Sequence, residues 1–171
     1  MEKNSLINSL KTKEPYFEIK TLLANCTRKQ QVQFALLAAK SAEKFYDKSK
    51  YPKVYSSSLK VFKLIEKWLE NPKSIYEKEL EKAARAAAAG AVYAAYAANA
   101  AYAVAYAARA AANAANAARA AANAANAARA AANVNENKHL EFLLFELIKL
   151  IAIDKGYSIA ALEVLYGQIK A

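Results

Sequence analysis

The chain has 171 residues, with 25 Lys and Arg against 15 Asp and Glu, for a formal charge of +10. This length suits one domain with a real core, and a lone cysteine, Cys26, excludes an internal disulfide and a cysteine-built metal site. The opening MEKNSLINSL lacks a signal peptide's apolar run. The most apolar stretch, Leu140–Ile153, is too short to span a membrane and carries Glu141, Glu146 and Lys149. The expectation is therefore a cytoplasmic protein with no membrane partner.

Nearly every segment reads as helix. A short first helix is expected near residues 16–25, after Pro15. Thr27 and Gln30 have the spacing of a capping box and open a second helix that runs to about Tyr46, with Val32, Phe34, Leu36, Leu37, Ala39 and Phe45 as its apolar contacts. Asp47–Ser57, with Pro52, reads as a loop. A third helix carries Leu59, Phe62, Ile65 and Leu69 on one face, with Val61, Leu64 and Trp68 beside it, until Asn71-Pro72 stops it. Ser74 and Glu77 form another capping-box pattern, and Gly90 reads as a bend.

From Gly90 the chain becomes a decapeptide repeat: GAVYAAYAAN, AAYAVAYAAR, then AAANAANAAR twice and a final AAAN. Tyr, Asn and Arg recur three or four positions apart, the spacing that gathers side chains on one helix face. Alanine is the best helix former, and neither Gly nor Pro interrupts residues 91–133. Three larger residues in ten give about 3.3 per turn against 3.6 for an α-helix, so the stripe drifts around a straight helix. The tract would also extend about 64 Å, whereas a compact chain of this size has a radius of gyration of roughly 15–16 Å. A break is expected at Asn113–Asn116 or Asn123–Asn126, because Asn tolerates helix-ending conformations.

Beyond the repeat, residues 134–137 read as a polar connector, and residues 138–154 as a helix apolar on nearly every side. Such a helix is buried in a bundle or covered by a second subunit, and self-association into a homo-oligomer is expected. Gly156 ends it, and Ser158 caps a last helix to about Lys170. The organisation is one all-α domain, 1–171, a helical bundle with long Ala-rich helices. It comprises basic amphipathic helices at 1–89, the repeat at 90–133 and apolar helices at 134–171, with formal charges of +8, +3 and −1.

The repeat supplies the candidate chemistry. No Asp or Glu lies between Glu81 and Glu136, yet Arg85, Arg109, Arg119 and Arg129 do, which leaves these arginines without the local acidic partners of an ordinary solvated face. Arg suits forked recognition of carboxylate or phosphate. Tyr adds a stacking face, and Asn adds a donor and an acceptor. Tyr93, Tyr96, Asn99, Tyr102, Tyr106, Arg109, Asn113, Asn116 and Arg119 are the candidate ligand-binding residues.

Catalytic residues are not found. His139 is the one histidine and reads as a surface or capping residue. Nothing marks it as a base for Cys26, the three glycines are too scattered for a phosphate loop, and no paired metal-ligand motif occurs. No enzyme activity, cofactor or metal is expected.

The middle of the chain resembles a known family. LLAAKSAEKFYDKSKYPKVYSSSLKVFKLIEKWLENP, followed by AARAAAAGAVYAAYAANAAYAVAYAAR, is similar to the alanine-rich immunity proteins found beside bacterial polymorphic toxins and in phage genomes. Pro52, Trp68, Leu69 and Asn71-Pro72 fall where that pattern has its loop proline, its Trp-Leu pair and its break. The chain lacks the acidic Asp-Arg-rich loop and the His or Asp residues common in that family's alanine tract. The resemblance implies a small cytoplasmic antagonist that works by binding.

The expected function is thus non-enzymatic neutralisation, by stoichiometric binding, of a toxin or effector protein in a bacterial or phage conflict system. The alternative is sequestration of a small anionic nucleotide immune signal, cyclic nucleotides included, by the Tyr, Asn and Arg of the repeat. Nucleic acid is not expected as a partner, because the lysines are dispersed over several helices. An ice-binding role would need a threonine array, and Thr occurs only at positions 12, 21 and 27.

Overall fold

The computed structural model describes residues 2–45, 49–72, 74–89, 95–113, 116–132 and 136–170. Among these residues are nine α-helices and no strand. In chain order they are α1 (Lys3–Ser9), α2 (Pro15–Ala24), α3 (Arg28–Ala42), α4 (Pro52–Glu70), α5 (Ser74–Ala89), α6 (Ala95–Ala112), α7 (Ala117–Ala132), α8 (Glu136–Asp154) and α9 (Ile159–Lys170). A 3-10 turn, Glu43–Phe45, extends α3.

Local chemistry sets most helix ends. Thr27 and Gln30 form the full capping box: the Gln30 amide donates to Thr27 Oγ1 at 3.3 Å, and the Thr27 amide donates to Gln30 Oε1 at 2.8 Å. α4 stops at Asn71 as its sequence requires. Gly156, at φ +70°, ends α8. The Tyr157 amide reaches back to the Ala152 carbonyl at 2.9 Å and the Gly156 amide to that of Ile153 at 3.1 Å, a Schellman closure. Ser158 accepts from the Ala161 amide at 3.4 Å and starts α9.

Several boundaries differ from expectation. The loop read at Asp47–Ser57 is too long, since α4 already begins at Pro52. Proline at the first helical position loses no hydrogen bond and arrives with a helical φ, so Pro52 is a start signal, as Pro15 is for α2. The polar connector is shorter too, since Glu136 and Asn137 belong to α8. α1 was not anticipated. Seven residues are too few for a self-sustaining helix, and α1 is held by burial of Leu6 and by a hydrogen bond from Ser9 Oγ to Glu18 on α2. The bend at Gly90 and the side chain of Ser74 lie outside the described residues.

The repeat does break, at the first of the two expected places. α6 ends at Ala112 and α7 begins at Ala117, with the Asn116 amide donating to the Asn113 carbonyl at 3.3 Å. α7 folds back along α6, and α5 lies on α6's other flank. α3 packs across both α6 and α7, α4 packs on α5 and α6, and α8 lies against α2 and α7. The molecule thus has a thin sheet of alanine helices on a layer of bulky ones.

The interface between these layers is alanine on one side: Ala103, Ala107, Ala110, Ala121, Ala124 and Ala128 are buried. Each buries little area, but their small size lets helix axes approach closely. Trp68, Phe34, Ile65, Leu80 and the α8 residues Leu143, Leu147 and Ile148 supply the bulk. α8 is covered within the chain by α2, α3, α7 and α9, which is the bundle burial expected of so apolar a helix. Phe142 and Ile153 on α8 remain exposed. No helix among the described residues is long and apolar enough to cross a membrane.

Candidate functional site

The fold-back of the repeat creates a cleft of about 520 Å³ between α5, α6 and α7. On α6, Tyr106 and Arg109 line it, and Asn113 follows at the turn. Asn116, Arg119 and Asn123 face them from the start of α7. Glu81 and Arg85 close the α5 side. Ala112 and Ala120 form part of the wall, and their lack of bulk is what leaves a hollow there.

The drift of the stripe is harmless over this span. Tyr106 and Arg109 stand in the last turns of α6 with Asn113 just beyond its end, and Arg119 and Asn123 stand in the first turns of α7 with Asn116 just before its start, each set at three-then-four spacing. Over the whole tract the arginines would diverge, since ten residues turn a straight helix by about 80°. The break at Asn113–Asn116 brings Arg109 and Arg119 to one cleft from opposite helices.

Each arginine of the cleft is oriented by a neighbour. Arg119 Nη2 donates to Asn116 Oδ1 at 2.9 Å. The Arg109 guanidinium lies over the Tyr106 ring, 5.5 Å from its centroid. Among the described residues neither has a carboxylate within ion-pair distance. Both are exposed, and with five N–H donors each guanidinium keeps several free for a ligand. Arg85 differs, and the expectation that it lacks a local acidic partner is corrected: Glu81, one turn earlier, binds it at 2.8 Å. Among the described lining residues the cleft thus has three guanidiniums and one carboxylate, which is already engaged.

The other candidates lie elsewhere. Tyr102 is exposed and Asn99 half-buried, and neither lines the cleft. Tyr93 and the side chain of Tyr96 lie outside the described residues. Glu81, Arg85 and Asn123 were absent from the candidate set. Asn123 continues the stripe at four from Arg119, which could have found it, whereas only tertiary packing brings α5 alongside.

Arg28 shapes the cleft from behind. Its Nη2 donates to Glu77 Oε1 at 2.7 Å and to the carbonyl of Ala111 in the last turn of α6. Its guanidinium also stacks over Trp68, 4.7 Å from the ring centroid. One side chain at the start of α3 therefore ties α4, α5 and the end of α6 together. Cations are favourable at a helix carboxyl terminus, where carbonyls lack intrahelical partners.

His139 is neither at the surface nor a cap, contrary to expectation. It is buried, 3.1 Å from Ser41 Oγ on α3, edge-on to Phe45 and stacked near Phe142. Burial, then the charge of Lys44, lowers its pKa from 6.5 to about 4. Cys26 has no imidazole beside it. Burial, then Asp154, raises its pKa to about 11, which disfavours the reactive thiolate. No group of three His, Cys, Asp or Glu side chains among the described residues is placed to hold a metal.

No protein-family model, curated protein or solved structure matches this chain.

Proposed function

We propose that this chain is a non-enzymatic capture protein that sequesters a small anionic ligand of nucleotide type in the α5–α6–α7 cleft. The observation that carries this reading is the convergence of Arg109 and Arg119, each oriented by a neutral neighbour, across a hollow of ligand size. Phosphate oxygens would accept from the two guanidiniums at about 1.5–3 kcal/mol per charge-assisted bond. The Asn side chains offer donors and acceptors to a base or sugar, and Tyr106 offers an apolar edge. Stoichiometric capture by a small antagonist is the mode of action that the resemblance to alanine-rich immunity proteins implies.

Neutralisation of a toxin or effector protein is the second reading, favoured by a different observation. Leu36, Leu37, Leu69 and Phe142 line an open groove flanked by Lys40 and Lys44, a surface suited to an apolar protein patch rimmed by acids. The two readings separate experimentally. Replacing both Arg109 and Arg119 with Ala should weaken nucleotide binding at least tenfold by calorimetry, with helicity and melting temperature nearly unchanged. Unchanged affinity in that double variant would overturn the cleft reading and turn attention to the Lys-flanked groove.

A further inference from the structure

The repeat places a second copy of its Asn–Arg pair in a second groove. Asn126 and Arg129 stand in the fourth decapeptide where Asn116 and Arg119 stand in the third. The hydrogen bond is reproduced: Arg129 Nε donates to Asn126 Oδ1 at 3.1 Å. Ten residues further along α7, the pair is displaced by about 15 Å and turned by about 80°, which takes it off the α5–α6 side. It meets the amino-terminal end of α2 and the start of α8 instead. A groove of about 360 Å³ forms there, lined by Arg129, Asn126, Lys13, Glu14, Phe17 and Asn137 among others.

This groove repeats the chemical inventory of the first with different residues. Arg129 and Lys13 supply positive charge from two separate elements, where the first cleft has its arginines. Asn126 and Asn137 offer amide donors and acceptors. Phe17 is 62% exposed, and Tyr16 meets it edge-on with centroids 6.1 Å apart, so its ring face is open where the first cleft has Tyr106. A large aromatic ring is costly to leave in water, and an open ring beside two cations and two amides suits a ligand with a planar ring and a phosphate. Among the described lining residues each groove has one carboxylate, Glu81 in the first and Glu14 in the second.

We propose that the Arg129–Lys13–Phe17 groove is a second binding site for the same class of ligand, a phosphate bearing a planar ring, so that one chain captures two molecules. This inference takes its ligand class from the cleft reading above, but it stands on separate residues. The two pairs are far enough apart along α7 for both sites to fill at once.

The test is an amide-resolved NMR titration of the full chain with adenosine, guanosine, cytidine and uridine 5′-monophosphates, with calorimetry for stoichiometry. Two molecules per chain are expected for at least one of the four, with shifts at Phe17 and Asn126 separate from those at Tyr106 and Asn113. Arg129→Ala should abolish the first set of shifts and leave one site. Lys13→Glu and Phe17→Ala alter exposed side chains and should do the same, even if Arg129→Ala proves unstable. One molecule per chain, lost in Arg119→Ala and unaffected by all three of these variants, would overturn the second site and leave the first. One molecule per chain lost only in the Arg129, Lys13 and Phe17 variants would overturn the first cleft instead. No binding by any of the four nucleotides would overturn both.

Discussion

The α6–α7 pair and the α3–α4 layer beneath it reach burial by opposite means. α3 and α4 bring Phe34, Ile65 and Trp68, which gain stability through area removed from water. α6 and α7 bring alanines, which gain little each and permit close backbone approach. The division has a consequence for the surface. A surface made of alanine leaves hollows wherever a larger neighbour stops short, and the Tyr, Asn and Arg of the repeat edge those hollows. The bulky layer holds the fold, and the alanine layer presents the chemistry.

The largest test of that division is truncation of the bulky layer. Phe34→Ala should cost about 3–5 kcal/mol in urea denaturation, because it removes a fully buried ring and leaves a cavity. A cost below 1 kcal/mol would mean that the alanine helices carry more of the stability than their area suggests.

The alanine layer should fail in the other direction. Ala124→Leu, at a fully buried position on α7, should destabilise by about 1–3 kcal/mol through overpacking. A neutral or stabilising result would show that α7 has room for a larger side chain here and that the alanines are there for another reason.

A third prediction concerns pH. His139 has a folded-state pKa of about 4 against an ordinary 6.5, so the unfolded chain binds the extra proton between those values. Stability should therefore fall as pH drops from 6.5 towards 4, by at most about 1.4 kcal/mol per pH unit. Melting temperatures across this range should show the slope, and His139→Leu should flatten it. An unchanged slope in the variant would assign the acid sensitivity to other groups.

The smallest effect should come at the cleft's rim. Arg85→Ala breaks an exposed pair one helical turn apart and should change stability by no more than about 0.5 kcal/mol. A larger loss would mean that the α5 wall is structural and not merely a lining.

Helix identity was legible everywhere beyond α1, because apolar period, capping pairs and alanine propensity are local properties; α1 carries no such signal and forms only by packing on α2. Thr27 with Gln30, Asn71-Pro72, Gly156 and Ser158 each acted where their backbone chemistry requires, and the Asn-rich break fell within the tract as its length demanded. Local signals were ambiguous where one residue can serve two purposes: Pro52 can end a loop or begin a helix. Which side chains meet across the repeat was not local at all. The stripe's drift spreads its residues around the cylinder, and only the turn at Asn113–Asn116 selects two short runs and sets them face to face. The Glu81–Arg85 pair joins the cleft because α5 packs on α6, Arg28 caps α6 from 83 positions away, and His139 is buried because Ser41 and Phe45 await it. Spacing along the chain fixes what a helix can present, but convergence needs a second helix, and that is decided by packing.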